Sequence, residues 1–285
     1  IVIEARGDIY YLSGDKSPKN LSKSAGERER FPQISPDGKW VAYFSDKSGE
    51  YQLYIQKTDG SDLTQLTTSL NKTVYKLLWS PDSKKILFGD KDFSIFYIDI
   101  ATKKIVKVDE SNQLKNDQFY WEISDYDWSP DSRWICYSLV QYNRNSKIFL
   151  YNLDEDKKYP VTDDFYDNLY PSFDKNGKYL YFVSSRNFDV QMDFYEDNHV
   201  INAPHRIMAI QLKDGQCPPF MTDIIENKKS ETTGFRIDIN NIQKRTYPLP
   251  VPNGNYFNLK AGNGKVAWFS IDKFTDDEYE EIFKP

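Results

Sequence analysis

Cysteine and histidine are scarce in this chain of 285 residues, which holds two of each. Two cysteines, Cys136 and Cys217, cannot form a disulfide framework or a cysteine-rich zinc site. No apolar run approaches the roughly 18 residues that a membrane-spanning helix needs. Acidic residues exceed basic ones only slightly, 43 against 37, which argues against a surface built for nucleic acid or an anionic membrane.

The common signatures of catalysis are also missing. The sequence has no G-x-S-x-G elbow, phosphate-binding loop, H-E-x-x-H zinc helix or EF-hand loop. Cys136 lies in an apolar run, residues 134–137, and is expected to be a buried, inert thiol. His199 and His205 have no cysteine or carboxylate at ligand spacing, so we expect hydrogen-bonded or solvated residues at a rim. The sequence therefore predicts no catalytic residue, metal site or cofactor in this chain.

Aromatic residues, by contrast, make up 16% of the chain, and one short motif recurs. Ser-Pro-Asp-Gly-Lys-Trp at 35–40 returns in related form at 80–85 and 129–134, with a degenerate copy at 174–179. The copies are spaced 45, 49 and 45 residues apart. This spacing is typical of the four-stranded blade of a β-propeller.

Each copy of the motif predicts a tight turn followed by strands. Proline has a preset φ, and aspartate, glycine and serine tolerate the later turn positions. Short β-branched and aromatic runs follow, as at 40–44 and 179–183, and no helical stripe occurs. We expect an all-β fold, a β-propeller with about six blade equivalents in one domain over 1–285. The expected blades lie near 1–27, 28–70, 74–112, 123–164, 168–250 and 255–285.

Two features interrupt this regularity. Residues 186–234 depart from the repeat and are expected to be one insertion at a rim, with its polar part at 226–233 forming a loop. The chain opens on what we interpret as the second and third strands of a blade. It closes on first, second and third strands, the last of them at 281–283. We therefore expect the ring, of seven blades, to be completed by other sequence.

Residues that enter each first strand are the candidates for ligand contact, because that strand is innermost in a propeller and lies near the central tunnel. Arginine, lysine and tyrosine at a tunnel mouth can attract extended peptides and stack on them. Salt bridges and packing between blades remain the alternative interpretation. The candidates are Arg28, Arg30, Tyr75, Lys76, Asp125, Tyr126 and Tyr170.

The segment 31–43, continued by 45–54, resembles the propeller repeat of TolB and of tricorn-type serine peptidases. Residues 4–10 and 236–256 narrow the resemblance to the second, seven-bladed propeller of the tricorn type. The similarity covers essentially the whole chain, in the expected order. A TolB-like protein-binding module and the propeller of a prolyl-oligopeptidase-type enzyme are the alternatives.

The tricorn resemblance implies a non-catalytic domain of a large serine endopeptidase that cuts oligopeptides and often assembles into homo-oligomers. Such a propeller is expected to act as a channel and filter, and as a scaffold for the other domains of the same protease. Catalytic serine and histidine belong to later domains, so no position here inherits a catalytic role. The resemblance implies the cytoplasm, whereas a removed signal peptide before Ile1 would imply the periplasm.

Overall fold

The computed structural model describes residues 1–14, 17–111, 125–188, 190–192, 199–218 and 234–271. The chain divides into two compact units, Ile1–Ser124 and Asp125–Pro285. Both units are built almost entirely from short antiparallel strands. Within the part of the chain that is described, no helix is long and apolar enough to cross a membrane.

Among its described residues, the first unit contains three antiparallel sheets, each made of strands consecutive in the chain. The opening sheet has three strands, β1 (Val2–Ala5), β2 (Asp8–Tyr11) and β3 (Lys19–Asn20). The next has four, β4 (Glu29–Ile34), β5 (Trp40–Ser45), β6 (Gln52–Lys57) and β7 (Thr64–Gln65). The third also has four, β8 (Val74–Trp79), β9 (Lys85–Asp90), β10 (Ser94–Asp99) and β11 (Ile105–Glu110).

The second unit contains two four-stranded sheets and two hairpins among its described residues. One sheet is β12 (Tyr126–Trp128), β13 (Trp134–Val140), β14 (Ser146–Asn152) and β15 (Lys157–Pro160). The other is β16 (Asn168–Phe173), β17 (Tyr179–Ser184), β20 (Arg206–Gln211) and β21 (Thr246–Pro248), with a 3₁₀ turn at Ile242–Arg245. The hairpins are β18 (Val190–Met192) with β19 (His199–Ile201), and β22 (Asn255–Ala261) with β23 (Val266–Ile271).

The long departure from the repeat is organised differently from the expected single insertion at 186–234. Strand β20 lies inside that range and is the third strand of its sheet, paired with both β17 and β21. Two separate connections, 185–205 and 212–245, therefore flank a regular blade strand. The expected polar loop at 226–233 and the expected strand at 281–283 lie outside the described residues.

The recurring motif forms the same hydrogen-bonded turn each time. The Ser35 hydroxyl donates to Asp37 Oδ1 at 2.6 Å and accepts from the Trp40 amide at 2.9 Å. Asp37 Oδ1 also accepts from the Lys39 amide at 3.1 Å. The later copies at 80–85 and 129–134 repeat these bonds. The fourth turn residue has a positive φ in every copy, at Gly38, Ser83, Ser132 and Gly177.

The core lies mainly on the second and third strands of the four-stranded sheets, which are largely buried on both faces. Phe44 of β5 and Phe88 of β9 meet edge to face in the first unit, with ring centroids 5.8 Å apart. Cys136 packs among the apolar side chains of the second unit and is fully buried. Burial, with a smaller contribution from Asp127, raises the pKa of its thiol. The expected burial of Cys136 and the all-β sheet architecture are confirmed, and the low reactivity of this thiol stays a prediction.

Candidate functional site

The first strands of four sheets share one irregularity, a β-bulge near the strand's start. Register shifts occur between Arg30 and Gln33, between Tyr75 and Leu78, and at the matching places in β16 and β22. The first of the two residues within each bulge has a positive φ, which is uncommon for residues with a Cβ. Bulges re-aim side chains and often lie next to binding sites. The four bulge residues are Phe31 (φ 55°), Lys76 (φ 39°), Tyr170 (φ 53°) and Asn258 (φ 51°).

Most of the residues predicted from sequence lie at or beside these bulges. Phe31, Lys76 and Tyr170 each stand four residues before the first residue of a motif copy, and Asp125 takes the same place before Ser129. The spacing of the repeat therefore locates these four positions along the chain. The bulge itself follows from the local backbone conformation.

In the first unit, Arg30 is held against two aromatic rings. Its guanidinium carbon lies 4.7 Å from the ring centroid of Phe31 and 6.0 Å from that of Tyr51. Arg28 is exposed, and its backbone amide donates to Asp46 Oδ1 at 2.7 Å. Strand β8, which carries the half-buried Tyr75 and Lys76, packs against β4. The four predicted residues of this unit thus lie on two neighbouring first strands or at their entry.

Between the two arginines, Glu29 occupies the opposite face of β4. Its side chain is 2% exposed, and its carboxylate accepts from Ser24 Oγ at 2.9 and 3.0 Å and from Ser45 Oγ at 3.3 Å. Burial raises the pKa of Glu29, although these hydroxyl donors oppose the shift. The alternation of side chains along a strand explains why Glu29 is buried while Arg28 and Arg30 reach the other face.

In the second unit, Asp125 and Tyr170 are brought together. Asp125 Oδ2 accepts from the Tyr170 amide at 3.3 Å, and the Asp125 carbonyl accepts from the Ser138 amide at 3.0 Å. Burial raises the pKa of the Tyr170 phenol, and the charges of Asp125 and Asp167 add to the shift. The phenol therefore remains neutral near pH 7 and keeps its hydroxyl proton.

Tyr126 differs from the other predicted residues. Its side chain is fully buried in the second unit and presents no surface to a ligand. Successive residues of a strand point to opposite faces, so Asp125 and Tyr126 cannot both reach the same surface. We therefore remove Tyr126 from the candidate set.

Sequence reasoning missed the polar residues that join neighbouring first strands. The carboxylate of Asp127 accepts from Ser172 Oγ at 2.8 Å and from the Phe173 amide at 3.2 Å. Ser172 Oγ in turn accepts from the Ala261 amide at 3.1 Å. Asp127 and Ser172 each stand two residues before a motif copy, in Asp-Trp-Ser-Pro and Ser-Phe-Asp-Lys. A polar residue at that repeated place was the signal available in the sequence.

His205 has a structural partner. Its Nδ1 accepts from the Tyr256 amide at 2.9 Å, and its backbone exchanges two hydrogen bonds with Gly254. Burial lowers the pKa of the imidazole, and Asp167 opposes the shift. Nδ1 is therefore engaged within the protein, as expected for a hydrogen-bonded histidine. The side chain of His199 is outside the described set, and the described residues contain no cluster of three or more possible metal ligands.

Comparison with known proteins gives a consistent result. The family described as "Tricorn protease second beta propeller domain" matches residues 1–282. A "Tricorn protease homolog" of Saccharolobus solfataricus is 25% identical over 95% of this chain, and "Tricorn protease" of Thermoplasma volcanium is 28% identical over 70%. The crystal structure of the tricorn protease superposes on 99% of the chain with a TM-score of 0.80 at 19% identity. The chain spans 24% and 19% of the two relatives and 27% of the crystallised chain.

Proposed function

The chain belongs to the tricorn protease second β-propeller domain family, and from this premise we propose that it serves a tricorn-like serine protease as a non-catalytic access channel and scaffold. Oligopeptides would pass its first strands on their way to a catalytic site carried by other domains of the same protein. No catalytic role is assigned to any residue of this chain.

The observation that carries the proposal is the repeated bulge. It places a charged or aromatic side chain at the same point of three first strands, β4, β8 and β16, and first strands are the innermost strands of a propeller. Arginine, lysine and tyrosine side chains at these points can contact an extended peptide through charge, hydrogen bonds and ring stacking. The proposed channel would admit extended peptides and exclude folded proteins.

Replacement of the side chains at and beside the bulges tests this role. In the full-length protein, Arg28, Arg30, Tyr75, Lys76 and Tyr170 are changed together to serine, and kcat/KM is measured for peptides of several lengths and charges. We expect the order of preference among the peptides to change. Arg133→Ser and Lys39→Ser, which alter exposed residues in the repeat turns, are the matched control. An unchanged order and unchanged rates in the fivefold variant would exclude the filter role.

The TolB-like binding module is the alternative, and the match of the tricorn family over residues 1–282 favours the protease domain.

We also propose that the parent protein works in the cytoplasm as a homo-oligomer. Fractionation of cells and light scattering of the purified full-length protein test these two points. Recovery of the protein from the periplasm, or a monomer at micromolar concentration, would contradict them.

A further inference from the structure

We propose that Arg28 and Arg30 form a binding site for a carboxylate group of an extended peptide. The proposal rests on the proposed function, since it names the chemical group that the first strands would select. The two arginines flank the buried Glu29 and share the opposite face of the chain at β4. Their spacing of two residues along an extended chain puts both guanidinium groups within reach of one anionic group.

Arg30 is half-buried and is held against two aromatic rings. Phe31 covers the guanidinium at 4.7 Å and Tyr51 lies near it at 6.0 Å. Such contacts orient the planar group and leave the N–H donors at its edge for an acceptor. Among the residues that the structure describes, neither Arg28 nor Arg30 forms a side-chain hydrogen bond or an ion pair.

Among the described residues, the acidic side chains near the arginines make their hydrogen bonds and ion pairs with other groups. Three of the four carboxylates bind backbone amides or a lysine, and the fourth is the buried Glu29. The contacts are Glu4 with the Phe31 amide at 3.3 Å, Glu27 with Lys47 at 3.5 Å, Glu29 with Ser24 at 2.9 Å, and Asp46 with the Arg28 amide at 2.7 Å.

The same acidic residues favour a carboxylate over a more highly charged ligand. A phosphate carries nearly two negative charges near pH 7 and would be repelled by Glu4, Glu27 and Asp46. A carboxylate carries one charge, and its two oxygens match the paired donors of a guanidinium. The carboxylate can come from an aspartate or glutamate side chain or from the carboxyl terminus of the peptide.

Equilibrium binding to the full-length protein tests the proposal. The probes are peptides of one length with a neutral fluorophore: one with an internal glutamate and an amidated end, one with glutamine in its place, and one with glutamine and a free carboxyl end. We expect one or both carboxylate peptides to bind about tenfold more tightly than the neutral peptide, as charge-assisted bonds would give. Which of the two is preferred identifies the source of the carboxylate.

Variants locate that preference. In the Arg28→Gln, Arg30→Gln double variant we expect the preference to fall below about twofold, while Arg30→Lys keeps part of it because the charge remains without the planar fork. Arg186→Gln is the matched control, since Arg186 also lies over a ring, at 5.0 Å from the centroid of Tyr166. If the double variant does not fold, two other results decide whether the arginines bind the carboxylate. One is loss of the wild-type preference as salt rises from about 50 to 500 mM, and the other is partial retention of the preference in Arg30→Lys.

Three results would overturn the proposal: no preference in the wild type, a full preference in the folded double variant, or a phosphoserine peptide that binds far more tightly than the glutamate peptide. Binding and hydrolysis of the same peptides separate this proposal from the access-channel role. If the double variant loses the preference in binding and hydrolysis is unchanged, the carboxylate site stands and the channel role fails. If the fivefold serine variant alters hydrolysis of neutral peptides and the wild type shows no carboxylate preference, the channel role stands and the carboxylate site fails.

Discussion

The hydroxyl of Ser172 donates to the buried carboxylate of Asp127 at 2.8 Å, which joins the first strands of two neighbouring sheets, β12 and β16. Asp127 is 6% exposed and also accepts from the amides of Trp128 and Phe173. Sheets that pack face to face through apolar side chains gain little directional preference from that packing. The Asp127 carboxylate fixes the alignment of the two strands, because its oxygen acceptors meet their donors at only one register.

Removal of the Asp127 carboxylate is expected to cost more stability than removal of an exposed one. Asp127→Ala leaves the Ser172 hydroxyl and the Phe173 amide without an acceptor inside the protein, and we expect a loss of about 2–4 kcal/mol in the free energy of unfolding. Asp154→Ala breaks an exposed ion pair with Arg133 and should cost less than about 1 kcal/mol. Urea denaturation measures both values. Equal losses in the two variants would show that the Asp127 bonds add no net stability.

Two glycines at the same place in the repeat turn give a matched pair. Gly38 has φ 74° and open space where a Cβ would lie, whereas a Cβ at Gly177, φ 69°, would lie 2.6 Å from the Phe235 ring. Gly38→Ala should cost about 1 kcal/mol from backbone strain alone. Gly177→Ala should cost roughly 1–3 kcal/mol more, because the ring packed on Phe173 must move. Similar denaturation midpoints for the two variants would contradict this difference.

The parts of the fold that depend on residues close together in the sequence could be predicted from the sequence. The turn around Ser35 and Asp37 is made by side chains within six residues of each other, so its signal is local and recurs with the repeat. Strand β20 is separated from β17 by the long connection 185–205, and the spacing of the repeat therefore did not reveal it. Its place depends on pairing with β17 and β21, which are distant in the sequence.

The candidate site shows the same limit. The repeat located the first strands. It did not show which residues of a strand are buried, because adjacent residues point to opposite faces: Asp125 is half-buried, whereas its neighbour Tyr126 is fully buried. The contact of Arg30 with Phe31 and Tyr51 depends on the bulge at Phe31 and on the fold of the same sheet. Neither the bulge nor the arrangement of this sheet is encoded in the spacing of the motif.

The two cysteines should differ in reactivity. Cys136 is fully buried and its thiol pKa is raised by burial, so little thiolate is present and a reagent cannot reach it. Cys217 is half-buried on the connection after β20 and should react first. Brief treatment of the native protein with iodoacetamide, followed by peptide mass spectrometry, measures both sites. Modification of Cys136 at a rate equal to that of Cys217 would contradict the burial of β13.

His205 should make the protein less stable in mild acid. Burial lowers the pKa of this imidazole in the folded state below its ordinary value of 6.5, so the unfolded chain takes up a proton more readily than the folded one. The stability contributed by the neutral ring is complete above pH 6.5. It falls as the pH drops from there toward the folded pKa, below which no further loss occurs.

His205→Asn separates this titration from the hydrogen bond that the ring makes. The asparagine Oδ1 can accept from the Tyr256 amide in place of Nδ1, but it does not titrate. We expect the free energy of unfolding to fall less between about pH 7.5 and 5.5 in His205→Asn than in the wild type, as measured by urea denaturation at each pH. Because the acceptor is retained, the two proteins should differ little at the upper end of this range. An equal fall in both would mean that the folded protein admits the proton, and that burial and the bond from the Tyr256 amide do not hold His205 neutral.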